Sequence, residues 1–158
     1  MTRADPLLGL LERFRDHGVE YVLVGGQAVR INGYLRATED IDVLLRPTQV
    51  NGAKVIRALG FLAAAADLKP EWFAVDANGS IENIRVADEL LVDLLFSANG
   101  ETYDSVRSFI REIDVEGVPV RVLNIDGLLR TKTDYREKDR LDKLALLRIK
   151  AALGENGV

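Results

Sequence analysis

The chain has 158 residues, 47% of them apolar, a formal net charge of −4 and no cysteine. That length and apolar content suit one domain with one core and exclude a disordered chain. The lack of cysteine excludes disulfides and thiolate metal sites. With His17 as the single histidine, histidine-rich zinc sites are excluded too.

Asp5-Pro6 opens a predicted helix with Leu7, Leu8, Leu11 and Phe14 as its apolar stripe, and His17-Gly18 ends it. A strand follows at about 20–24. The next helix starts after Gly26, carries Ala28, Val29 and Ile31, and stops near Gly33. A second strand spans about 40–45 and closes at Arg46-Pro47. Thr48 caps a helix of about 49–59 ended by Gly60. The stretch 61–67 is ambiguous, helix by the propensity of Ala63–Ala66 but more often a strand or turn after Gly60-Phe61. Trp72–Val75 and Ile81–Val86 read as a hairpin around Asn78-Gly79. The apolar run 90–96 reads as a central strand broken by the charge of Asp93.

Beyond the loop at Ser97–Gly100, a short helix is expected over 102–109. Ile110–Val115 and Val118–Val122 read as a hairpin around Glu116-Gly117. Asp126 is expected to open a helix to about Lys132, and a last helix runs from Glu137 to about Leu153. Strands and helices in irregular order predict an α+β fold, a small mixed β-sheet with helices packed on it. The apolar runs fall short of a membrane span and the first residues lack a signal-peptide core, so a cytoplasmic protein is expected.

The chemistry concentrates at Val24-Gly25-Gly26 and, after thirteen residues, Asp40-Ile41-Asp42. Two glycines after a strand leave backbone N–H groups bare at a helix start, where a phosphate is stabilised. Asp40 and Asp42 alternate along a strand, so their side chains share a face. Carboxylates so placed repel each other unless a cation sits between them, and Mg²⁺ is the usual one beside substrate phosphates.

This segment resembles the signature of the nucleotidyltransferase superfamily related to DNA polymerase beta, a Gly-Gly or Gly-Ser turn followed by alternating acids. In that family a later strand supplies a third carboxylate, and Asp93 in Leu90–Phe96 matches it. The run Leu128, Lys132, Arg136-Glu137-Lys138-Asp139, Asp142, Leu146 resembles the AbiE-like branch of bacterial toxins. The resemblance spans roughly residues 19–147. It implies one domain over 1–158, with a minimal core of about 19–125 and basic C-terminal helices over about 126–153.

The resemblance implies in-line attack of an acceptor hydroxyl on the α-phosphate of a nucleoside triphosphate. Asp40, Asp42 and Asp93 are the expected catalytic acids and Mg²⁺ ligands, with Asp93 as metal ligand or general base. Gly25 and Gly26 would donate N–H groups to phosphates, and Lys132 and Arg136 would bind the nucleotide. Arg36 and Thr38 would line its entrance. Trp72 and Phe73 read as core residues or as a stacking surface for a base.

Residues 130–150 hold eight basic and four acidic side chains, in a chain that is acidic elsewhere. They read either as a face for a polyanion or as a solvated helix with pairs such as Asp139–Lys143. The branch implies a toxin acting on RNA, tRNA in particular, with an antitoxin partner. The alternative reading is a non-catalytic module that binds a nucleotide or a partner. The sequence leaves the acceptor, the base and the oligomeric state open.

Overall fold

The computed structural model describes residues 5–34 and 40–155. In chain order it forms α1 (Pro6–Asp16), β1 (Tyr21–Val24), α2 (Gly25–Ile31), β2 (Asp40–Leu45) and α3 (Gln49–Ala58). These are followed by β3 (Ile84–Ala87), β4 (Leu91–Leu95), β5 (Ile110–Val115), β6 (Val118–Leu123), α4 (Ile125–Thr131) and α5 (Glu137–Glu155). Short 3-10 turns lie at Ala63–Ala65, Pro70–Phe73 and Arg107–Phe109.

The helix ends follow from their caps. The Asp5 carboxylate accepts the Leu7 and Leu8 N–H groups at 2.9 and 3.4 Å, and His17 closes α1 before Gly18 turns at φ +69°. Thr48 Oγ1 accepts the Asn51 N–H at 3.0 Å and starts α3. At α4 the cap is Asn124, whose Oδ1 accepts the Gly127 N–H at 2.8 Å. Asp126, expected to open that helix, lies in its first turn instead.

The strands make one sheet in the order β3-β4-β2-β1-β6-β5. β2 runs parallel to β4 and β1 parallel to β6, while β1/β2, β3/β4 and β5/β6 are antiparallel. The fold is therefore the expected mixed α+β arrangement. α1 rests on β6 and α3, α2 lies on β1 and β2, and α4 touches α2, β6 and α5. Ile41, Val43, Val92 and Leu94 are buried on one face of the central strands, while Asp40, Asp42, Leu91 and Asp93 on the other are half-exposed. Each fully buried Leu, Val or Phe contributes about 1.5–3 kcal/mol relative to exposure. That burial ties the sheet to its helices and leaves the acids half-exposed.

Asn51, 1% exposed, stitches the far end of the β1–β2 pair. Its Oδ1 accepts the Glu20 N–H at 2.8 Å, and its Nδ2 donates to the Glu20 and Arg46 carbonyls at 2.9 and 3.0 Å. Arg46 adds an ion pair to Glu20 at 3.0 Å.

Three expectations change. Trp72–Val75 is no strand, because Pro70 starts a 3-10 turn that drops Phe73 into the core against Phe96. Asn78-Gly79 does turn the chain, with the Asp76 N–H bonded to the Ser80 carbonyl at 2.8 Å, but β3 pairs onward with β4. The helix expected over 102–109 is a turn before a 3-10 turn. The Thr102 and Ser105 hydroxyls accept each other's backbone N–H at 3.2 and 2.8 Å, which competes with helix bonding. The stretch 61–67 resolves as turn, and the hairpin at Glu116-Gly117 forms with φ of +51° and +84°. Among the described residues no helix is long and apolar enough to cross a membrane.

Candidate active site at the glycine turn

The Gly25 turn is shaped around an acid. Gly25 has φ +67°, and a Cβ there would stand 2.0 Å from Asp42 Oδ2 and 2.8 Å from its Cγ. Only a residue without a side chain allows this close approach. No side chain caps α2, so the N–H groups of its first turn are not taken up by a cap.

The parallel register of β2 and β4 sets Asp42 opposite Asp93, and Asp40 lies two residues before Asp42 on the same face. Asp42 and Asp93 are close enough to share a hydrogen bond. Burial, that bond, and the charges of Asp93 and Asp40 push the Asp42 carboxyl up to about 7, against the opposing pull of Lys132. At lower pH Asp42 therefore holds a proton that an ordinary carboxylate would have lost.

Arg85 on β3 faces this group. It is the register partner of Asp93. Its Nη2 lies 3.4 and 3.3 Å from the two Asp40 oxygens, and its Nε lies 3.7 Å from Asp93 Oδ1. The three acids thus share a face, with Asp42 and Asp93 together and Asp40 engaged by Arg85. Among the described residues no three acidic side chains are already gathered as a metal cluster. The donor set still fits a divalent ion such as Mg²⁺. Its oxygens are hard ligands, Asp42 and Asp93 crowd where a cation would relieve repulsion, and the guanidinium on Asp40 and Asp93 belongs to an exposed, long side chain.

The second wall comes from the C-terminal helices. A cavity of about 350 Å³ is lined by Gly25, Gly26, Asp42, Lys132, Arg136 and Asp139, among others. A larger cavity of about 610 Å³, lined by Leu7, Ile31, Ile41 and Leu90, contains neither glycine of the turn and none of the three acids. The two glycines and Asp42, rather than size, select the smaller one, with Asp40 and Asp93 outside its lining.

Lys132 is neither a surface lysine nor an outstretched one. It is 5% exposed, with Nζ 2.9 Å from Asp142 Oδ2, itself 1% exposed. Asp139 accepts the Thr133 N–H and hydroxyl at 2.9 and 2.8 Å. Burial alone would raise its pKa, but these bonds and the charges of Lys132 and Arg136 hold it below the ordinary value. The expected Asp139–Lys143 pair does not form, since Lys143 pairs with Asp134. Lys150 pairs with Asp126, and Arg130 with Glu101 while lying over the Phe109 ring. Arg136 is exposed at the cavity wall.

Phe73 is core, and Trp72, 46% exposed, does not line the cavity with Asp42. Arg36 and Thr38 lie outside the described residues. The sequence pattern does not reveal Arg85, because it pairs that strand with Trp72–Val75 whereas the fold pairs it with β4. Nor does it reveal Asn99, whose Nδ2 donates to the Arg130 and Lys132 carbonyls at 3.1 and 3.0 Å and ties the cavity's two walls. Asp142 lies in the same C-terminal run as Lys132, and apolar patterning does not mark either as buried.

No protein-family model matches the chain, and no curated protein does. Solved structures do resemble it. TM1012 of Thermotoga maritima, described as a candidate nucleotidyltransferase, is 16% identical, with a TM-score of 0.57 over 98% of this chain and 96% of that one. An antigenic nucleotidyltransferase-like protein from Paracoccidioides brasiliensis is 14% identical, with a TM-score of 0.52 over 90% of this chain and 73% of that one. At these identities the likeness is one of fold, and the fold is nucleotidyltransferase-like.

Proposed function

We propose that the chain is a Mg²⁺-dependent nucleotidyltransferase of the cytoplasm. It moves a nucleoside monophosphate from a nucleoside triphosphate to an acceptor hydroxyl. The observation that carries this reading is the pairing of Asp42 with Asp93 directly against the Gly25 turn, on a nucleotidyltransferase-like sheet.

In this reading the Gly25 and Gly26 N–H groups orient the phosphates, and Arg136 meets them at the cavity wall. Lys132, fixed by Asp142, acts through its positive charge beside Asp42. Mg²⁺, held by Asp42 and Asp93 with Asp40, would neutralise the triphosphate and the charge developing on the leaving oxygen. Asp93 would take the proton of the acceptor hydroxyl. That oxygen bonds to the α-phosphorus, the bond to the β-phosphate oxygen breaks, and pyrophosphate leaves.

We assign RNA, tRNA in particular, as acceptor. Support comes from Arg136, Lys138 and Arg140, which have no ion-pair partner among the described residues. The pairing of Lys143 and Lys150 narrows that basic face toward the start of α5. The core of about 19–125 would carry the chemistry, and the helices beyond it the acceptor surface. The AbiE-like run adds the role of a toxin held by an antitoxin partner.

The test is incubation with each labelled nucleoside triphosphate, Mg²⁺ and total RNA. Labelled RNA from the wild type, absent with Asp42→Asn, is the expected result. The grip of Arg85 on Asp40 and Asp93 favours a second reading, a binding module without chemistry. Mg²⁺-dependent nucleotide binding without transfer to any acceptor would select it.

A further inference from the structure

α5 buries Asp142 and Leu146 on one side. The other side carries Glu137, Leu141, Leu144, Arg148 and Ala151, all exposed. They are spaced by four, three, four and three residues, the alternation of a seam at which one helix meets another. Leu141 and Leu144 are 52% and 55% exposed, and Leu147 beside them 49%. Consecutive exposed leucines at seam positions mark a face that something covers. Glu137 and Arg148 bracket the leucines, and neither has an ion-pair partner among the described residues.

We infer that this face pairs with the same face of a second copy of the chain. The two α5 helices run antiparallel about a two-fold axis that falls between positions 142 and 143. This register sets Leu141 against the second copy's Leu144 and Glu137 against its Arg148. The two-fold symmetry repeats both pairs, so the face is complementary to itself. Parallel pairing would set Glu137 against Glu137 and Arg148 against Arg148. Antiparallel pairing centred on Leu144 would put Glu137 opposite Ala151 and lose both ion pairs. Charge thus fixes the direction and the register, and the bracketing of apolar residues by opposite charges selects a second copy as occupant. A single helix pair stays below the roughly 1,200 Å² of a standard interface, so the dimer exchanges at roughly micromolar concentration.

Sedimentation equilibrium over a wide concentration range tests this. Wild type is expected to show a monomer–dimer equilibrium. Leu141→Glu with Leu144→Glu should be monomeric throughout, with unchanged circular dichroism and thermal unfolding, since both side chains are exposed. Glu137→Arg and Arg148→Glu, each alone, set like charges together and should dimerise at least about tenfold more weakly. Mixed in equal amounts, those two variants restore both ion pairs in a heterodimer and should recover the association. A wild type monomeric to roughly millimolar concentration overturns the inference. So does a dimer that survives the double leucine variant, or a mixture that fails to recover.

Discussion

Two groups of charged residues meet at one small cavity, lined by Asp42 on the sheet side and by Lys132, Arg136 and Asp139 on the helix side, and they are built on opposite rules. On the helix side every buried charge is matched. Lys132 holds Asp142, and Asp139 receives two hydrogen bonds from Thr133. On the sheet side Asp42 is set against Asp93 and Asp40, and burial and that crowding raise its pKa to about 7. Matched charges hold a shape. Mismatched ones hold a capacity to bind, which the fold maintains at a cost in stability. The contrast separates the scaffold from the candidate site without reference to any relative.

The sharpest way to break the contrast is to remove a reactive acid. Asp42→Asn should lower nucleotide transfer by about a thousandfold or more while the protein stays folded, measured by label transfer and circular dichroism. Retained activity would place the chemistry elsewhere. The helix side should respond in the opposite sense. Asp142→Ala leaves Lys132 buried and unmatched and should cost about 3–5 kcal/mol in urea unfolding.

The pH dependence sharpens the difference further. With its pKa raised from 3.8 to about 7, Asp42 keeps a proton in the folded chain where the unfolded carboxyl has ionised. The folded state binds more protons across that window, so this group's contribution to stability falls as pH rises from about 4 to about 7 and is level above. Asp42→Asn should flatten this fall and be about 1–3 kcal/mol more stable than wild type at pH 8, read from denaturant midpoints. The smallest effect is expected at Arg85. Arg85→Gln should change stability by less than about 1 kcal/mol, because the ion pairs are exposed. It should tighten Mg²⁺ binding a few-fold by calorimetry, since a competing cation is gone. Unchanged affinity would show that Arg85 does not compete.

The reactive side was legible in sequence because it is local. Two glycines after an apolar strand, acids at alternate positions and one acid inside an apolar run each carry their meaning within a few residues. The parallel register that sets Asp42 opposite Asp93 was not in that pattern, though the third carboxylate was expected. The matched side was poorly legible because its pairs are tertiary. Lys132 reads as an outstretched lysine until the turn before α5 folds it onto Asp142. Arg85 is hidden because Trp72–Val75 has a strand's composition while Phe73 belongs to the core. Its place in the core depends on Gly52, where a Cβ would stand 2.5 Å from the Phe73 side chain, a fit between distant segments that no local pattern contains.

The Asn51 stitch lies at the far end of the β1–β2 pair from the acids, yet it bears on them. Strand side chains alternate, so slipping β2 by one residue would turn Asp40 and Asp42 into the apolar layer and Ile41 and Val43 out of it. A misaligned sheet would have to bury two carboxylates among hydrocarbon, which folding chains avoid. Asn51 fixes the alignment where the strands are apolar on both faces, and the aspartates penalise any error where they are not. The acids of the candidate site thus also proofread its assembly.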